Sequence, residues 1–111
     1  MMPYHVMLTK NAEADLEDIY DDIVENDSSE KADYVLDQLL KTADSLANFP
    51  EKGNYPKELQ ALGIRDFRQT FFKPYRVIYQ ITGKQVVIFV IADGRRDMQT
   101  LLTHRLLSVS A

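Results

Sequence analysis

Cysteine is absent from all 111 residues of the chain. That one absence removes disulfides, thiolate metal sites and thiol nucleophiles together, and agrees with a reducing compartment. No apolar run is long enough to cross a bilayer, and the opening stretch, MMPYHVMLTK, lacks the charged region, apolar run and cleavage site of a secretory signal. A cytoplasmic protein with no membrane partner is therefore expected. Internal repeats and low-complexity tracts are also missing. No Gly-x-Ser-x-Gly, nucleotide fingerprint or metal-ligand motif occurs, so no cofactor and no metal are expected.

Arginine is missing from the first half. All six, Arg65, Arg68, Arg76, Arg95, Arg96 and Arg105, lie beyond residue 64. Residues 1–52 hold four lysines against thirteen acids, a balance of −9, while residues 53–111 hold nine cations against four acids, +5; the whole chain carries −4. Such a bipolar chain offers one surface suited to an acidic partner, while its acidic total and a pI near 5.1 argue against non-specific nucleic-acid binding.

What is present reads as one soluble domain over residues 1–111, since 45% of residues are hydrophobic and 27% charged. A domain of this size buries roughly 65% of the surface of its unfolded chain, enough for a single core. Tyr4-His5-Val6-Met7-Leu8 has strand character, and Thr9 is placed to cap the next element, a helix. Ala12, Leu16, Ile19, Tyr20 and Ile23 recur with helical spacing. Asp27-Ser28-Ser29-Glu30 breaks that pattern and starts a second helix, whose inward stripe is Ala32, Val35, Leu36, Leu39, Leu40, Ala43, Leu46 and Ala47. The short connection makes the pair an antiparallel hairpin.

Residues 50–64, with two prolines and two glycines, read as an irregular link across the surface. Three strands come next at 65–72, 75–81 and 85–92, joined by Lys73-Pro74 and by Thr82-Gly83-Lys84 as an antiparallel meander. In the middle strand, Tyr75, Val77, Tyr79 and Ile81 share one face and Arg76, Ile78 and Gln80 the other. The last strand is apolar on both faces, with Val87, Phe89 and Ile91 expected on one and Val86, Ile88 and Val90 on the other. Both sides of the sheet therefore need a cover. The fold class is α+β: an N-terminal strand, an antiparallel helical hairpin, a three-stranded antiparallel meander and a short C-terminal helix. The narrow stripe Met98, Leu101, Leu102 and Leu106 is expected to cover only part of the second sheet face, leaving a groove.

The segment IADGRRDMQTLL places Arg95 and Arg96 at the start of that helix, where a partial positive charge disfavours each by about 0.3–1 kcal/mol. Helix stability does not explain them. Two readings compete: pairing with Asp93, Asp97 or the acidic first helix, or a receptor for carboxylate or phosphate built from two guanidinium forks and the helix start.

The order of elements, with LTKNAEADLEDIYDDI, ANFPEKG, PYRVIYQI and IADGRRDMQTLL, resembles the RelE/ParE superfamily of type II toxin-antitoxin toxins, and more closely its ParE branch. The resemblance covers nearly the whole chain. It implies a toxin neutralised by a cognate antitoxin that wraps it, with DNA gyrase as the target of ParE-type members and ribosome-bound messenger RNA as the substrate of RelE-type members.

Cleavage of RNA needs an acid, a base and phosphate-binding cations together. His5 and His104 stand nearly a hundred residues apart, and no tyrosine occurs beyond Tyr79. A gyrase inhibitor acting by protein-protein contact, without catalytic residues, is therefore the leading expectation, with no direct DNA binding in the absence of antitoxin. A ribosome-dependent endoribonuclease and a non-toxic antitoxin-binding module are the alternatives. Arg76, Arg95 and Arg96 are the expected contact residues, then Arg68 and Arg65, with Ile78, Asp97 and Met98 beside them. Asp15, Asp18, Asp22 and Glu25 fall along one face of the first helix and read as a solvated surface, because helix side chains diverge where a cation site needs convergence.

Overall fold

The computed structural model describes residues 2–107. Strand β1 (His5–Leu8) leads through Thr9 into helix α1 (Lys10–Asn26), and α2 (Ser29–Ser45) returns beside it. The Thr9 hydroxyl accepts from the Ala12 amide at 3.1 Å, and the Ser28 hydroxyl accepts from that of Lys31 at 3.0 Å, so each helix begins on a side-chain cap. A short helix α3 (Lys57–Gln60) interrupts the link. Strands β2 (Arg68–Phe72), β3 (Tyr75–Thr82) and β4 (Gln85–Asp93) form the meander, and α4 (Met98–Leu102) runs into a π-helical turn over Thr103–Leu107. The four strands lie in the order β1-β4-β3-β2, with β1 parallel to β4 and the other pairs antiparallel.

The helical hairpin covers the first face. Ala12, Leu16, Ile19 and Ile23 of α1 and Val35, Leu39, Ala43 and Leu46 at α2 pack on Val77, Tyr79, Val86, Ile88 and Ile91. The inward stripe of α2 is narrower than its periodicity implied: Leu40 turns outward, since it and Leu39 are about 100° apart on the helix and Leu39 takes the sheet-facing place. The Tyr79 ring is fully buried, yet its hydroxyl is satisfied, donating to the Pro50 carbonyl at 2.7 Å and accepting from the Gly53 amide at 3.2 Å. Burial pushes the Tyr79 phenol pKa up. A Cβ at Gly53 would run into the Gln69 carbonyl and that hydroxyl, so only glycine lets the link approach this closely.

The second face departs from expectation in two ways. First, its cover is shared: the link supplies Leu59, Ile64 and Phe67, and the C-terminal segment supplies Met98, Leu102, Leu106 and Leu107, around Ile78, Val90 and Ala92. The link is thus part of the core, and the chain at 65–67 turns Phe67 into it before β2 begins at Arg68. Second, strict alternation fails in β4. Tyr79 pairs with Ile88 and Ile78 with Val90, leaving Phe89 as an extra residue. This bulge reverses the facing of the later residues of the strand, so Ile91 joins Val86 and Ile88 on the first face while Val90 joins Phe89 on the second.

Candidate functional site

Two arginines project where β4 ends. The Gly94 amide donates to the Pro74 carbonyl at 2.8 Å and the Arg96 amide to that of Asp93 at 3.1 Å, which folds the chain sharply after the strand. The Asp93 carboxylate accepts from the Arg95 amide and from its Nε, both at 2.9 Å, and from Nη2 at 2.5 Å. Hydrogen bonding from Arg95 holds the Asp93 carboxyl below the usual carboxylate range and the same pair raises the guanidinium of Arg95. The Arg95 side chain nonetheless stays 78% exposed, so the pair shapes the loop without hiding the cation. Arg96 is exposed as well, and its guanidinium has no hydrogen-bond partner among the described residues.

The helix-start receptor read from the sequence is not formed. Asp97 itself closes that end, accepting from the Thr100 amide at 3.1 Å and its hydroxyl at 2.7 Å. Those contacts hold the Asp97 carboxyl low. Instead the arginines flank two adjoining hollows. One, of about 590 Å³, is lined by Tyr34, Phe72, Lys73, Pro74, Tyr75 and Arg95 together with Asp22, Asp27 and Lys31 of the hairpin; the other, of about 250 Å³, is lined among others by Asp15, Asp18, Asp22, Asp93, Tyr75, Ile91 and Arg96. Tyr34 and Phe72 meet edge to face at 6.2 Å between centroids, and the peptide bond before Pro74 is cis. The result is an aromatic trough whose charged lining comprises Arg95, Lys73 and Lys31 with Asp22 and Asp27.

The remaining expected contact residues lie elsewhere. Arg76 is buried: its Nη1 and Nη2 donate to the two oxygens of Glu58 at 2.9 and 2.8 Å, and Nε donates to the Gln69 amide oxygen at 2.8 Å. The guanidinium beside Glu58 holds that carboxyl below its ordinary value against the opposing effect of burial. An arginine between apolar neighbours on β3 must be paired, and it takes the acid that α3 presents. Arg68 donates to the Gly53 carbonyl at 3.0 Å and lies over the Tyr55 ring at 4.8 Å, tying the link to β2. Ile78 and Met98 are inside the second core. Arg65 is exposed, but it stands in a separate hollow with Glu51, Tyr55 and Gln80, near the end of β3 away from Tyr75. The structure therefore brings Arg95, Arg96 and Asp97 together, and leaves Arg65, Arg68, Arg76, Ile78 and Met98 out of that group.

Sequence reasoning misses a second internal pair. Asp15, which its spacing places on a solvated acidic face, is mostly buried: its Oδ2 accepts from the Ile91 amide at 3.0 Å, and both its oxygens accept from Arg105 at 3.1 Å. Arg105 also donates to the Phe89 carbonyl at 2.7 Å. Asp18, Asp22 and Glu25 do remain exposed. The signal for Glu58 was available, since an arginine flanked by Tyr75, Val77 and Ile78 needs an acid and only four acids lie beyond residue 52. The Asp15–Arg105 pair, ninety residues apart, had no such signal.

Similar proteins agree with this architecture. Residues 6–98 match the family described as ParE toxin of type II toxin-antitoxin system, parDE. Toxin ParE3 of Caulobacter vibrioides is 31% identical over 97 residues, covering 87% of this chain and 93% of that protein. Among solved structures, a chain of the chromosomal ParDE TA system from P. aeruginosa superposes with a TM-score of 0.69 at 22% identity, over 81% of this chain and 95% of that one. A mutant of E. coli toxin RelE in the free state gives 0.61 at 15% identity, over 90% and 93% of the two chains. Fold and sequence together define a toxin of the RelE/ParE superfamily. Within it, the chain belongs to the ParE toxin family of type II toxin-antitoxin systems.

Proposed function

We propose that this toxin acts in the cytoplasm by protein-protein contact and performs no covalent chemistry: it inhibits DNA gyrase, and an acidic, partly disordered cognate antitoxin neutralises it. The observation that carries this reading is the exposed Arg95–Arg96 pair beside the Tyr34, Phe72 and Tyr75 trough. Cations next to aromatic and apolar surface suit a partner segment that carries both acids and a hydrophobic anchor. On the second sheet face, Arg76 is closed off by Glu58 and Gln69, so its charge is already spent inside the domain and is not offered to a phosphate. Family membership supports the antitoxin and gyrase as partners.

The test is supercoiling by purified gyrase, titrated with the isolated chain and with an Arg95→Ala/Arg96→Ala variant shown to be folded. Inhibition by the unaltered chain and its loss in the variant are expected. Inhibition equal in both would remove the arginine pair from the target surface. Ribosome-bound message, assayed in parallel, is expected to stay intact; its cleavage would replace this reading with an endoribonuclease. Unimpaired growth on expression without antitoxin would leave only a non-toxic binding module.

A further inference from the structure

A strand at the rim of a sheet presents unpaired N–H and C=O groups to whatever extended chain comes near, and stable proteins usually block them. On the β2 rim, Asn54 pairs with Gln69 through both backbone bonds, at 3.2 and 2.7 Å, leaving Phe71 as the one residue of β2 whose outward groups have no partner among the described residues. Where β4 runs on past the end of β1, Arg105 takes the Phe89 carbonyl and Asp15 takes the Ile91 amide. Along β1, the Tyr4 amide is taken by the Ala47 carbonyl at 2.8 Å. Beyond it the edge is bare. The His5 amide donates to Lys84 and the Thr9 amide to Ile88, so His5, Met7 and Thr9 face β4 while Val6 and Leu8 point their backbone groups outward. Those outward groups of Val6 and Leu8 have no partner among the described residues.

We propose that β1 is a self-pairing edge: two copies of the chain join antiparallel about a twofold axis at Met7, converting two four-stranded sheets into one of eight. In this register Val6 of one copy lies opposite Leu8 of the second, and Leu8 opposite Val6, so every bare donor and acceptor on both edges is used. Like faces also meet. Val6 and Leu8 point to the first face, packed against the hairpin core, and Met7 points to the second, where it is 40% exposed beside half-buried Val87. A charged side chain opposite Val6 or Leu8 would be driven against apolar core, so the edge selects an uncharged apolar segment about three residues long. β1 is such a segment, and it is already held extended by β4, so a second copy pairs without the ordering cost that a disordered peptide bears. The contact is short, and the dimer is accordingly weak and concentration-dependent.

Because the chain contains no cysteine, one introduced thiol reports alone. Met7 faces Met7 in a non-hydrogen-bonded pair, with Cα atoms about 4.5 Å apart, inside disulfide reach. His5 lies about 14 Å from its twin in the same register, far outside it. In the full chain free of antitoxin, Met7→Cys is expected to oxidise to a species of doubled mass while His5→Cys does not. Sedimentation of the unaltered chain is expected to rise from 12.8 kDa toward twice that mass with concentration, and Met7→Lys to hold it at 12.8 kDa. A chain that stays monomeric at every concentration, equal cross-linking at positions 5 and 7, or a dimer untouched by Met7→Lys would each overturn the proposal. Circular dichroism checks that the variants fold; should the lysine variant fail, the two cysteine variants still decide the register.

Discussion

The two covers of the sheet bury apolar surface by different means. On the first face, α1 and α2 are long amphipathic helices, each begun by a side-chain cap, and their contact with the strands is almost wholly apolar. On the second face the cover consists of α3, α4 and irregular chain, elements too short to hold helical shape without help. Here the fold adds directional bonds: Arg76 with Glu58 fastens α3, Arg68 fastens the link to β2, and Arg105 with Asp15 fastens the C-terminal turn to both α1 and the β4 bulge. The crowding of arginine into the second half of the chain thus has a structural cause. Three of the six are internal fasteners, and Arg65, Arg95 and Arg96 are left facing outward.

That contrast can be broken most directly at Arg76. Its replacement by alanine leaves the Glu58 carboxylate buried without a counter-charge and is expected to cost about 3–5 kcal/mol in urea unfolding. The double replacement Arg76→Met/Glu58→Gln should cost less than the single one. A loss for Arg76→Ala no larger than that of a surface change would mean that the second cover stands without its fasteners. Arg105→Ala is next, at about 1.5–3 kcal/mol, the range for hydrogen bonds to charged groups. Hydrogen exchange should show the loss at residues 98–107 and at the Ile91 amide, with α2 unaffected.

On the hairpin side, Thr9→Ala removes one cap and is expected to cost about 1 kcal/mol, confined to α1 and adjacent structure. Acid sharpens the comparison further. The Glu58 pKa is lower folded than unfolded, so its stabilisation is complete above the unfolded value of about 4.3 and is lost as pH falls through the folded value. The unaltered chain should therefore lose stability below about pH 5 more steeply than Glu58→Gln, whose curve should be flatter. The smallest effect on stability belongs to Arg95→Ala/Arg96→Ala: the denaturation midpoint should not move measurably, while the proposed inhibition of gyrase, measured as supercoiling, is expected to be lost.

Elements with a long, clean period were legible. The hairpin, its Thr9 and Ser28 starts, the turn at Lys73-Pro74 and the inward facing of Tyr75, Val77 and Tyr79 all come from spacing and cap chemistry. The bulge at Phe89 was not legible, because an extra residue in a strand apolar on both faces leaves the hydrophobic pattern unchanged while reversing what each later side chain meets. The candidate site was legible only in part. Arg95 and Arg96 could be singled out as misfits at a helix start, but Tyr34, Phe72 and Lys73, which build the trough beside Arg95, come from other elements. The acidic first helix looked uniform, yet one of its carboxylates, Asp15, turns inward to serve the sheet.

The sequence by itself determined the types and order of the strands and of the two long helices, the need for two covers, the acidic and cationic halves, and membership of a toxin family whose motifs span most of the chain, but not the short helix α3 within the link. Only the tertiary structure decided which arginines are spent inside. Periodicity is a local property, set by 3.6 or 2 residues per repeat, whereas an ion pair depends on the distance between side chains that the chain separates by 18 residues, as for Glu58 and Arg76, or by 90, as for Asp15 and Arg105. An arginine looks the same in sequence whether its guanidinium meets a carboxylate of its own domain or water. Burial and the nearest acid make the difference, and both exist only once the sheet has been covered.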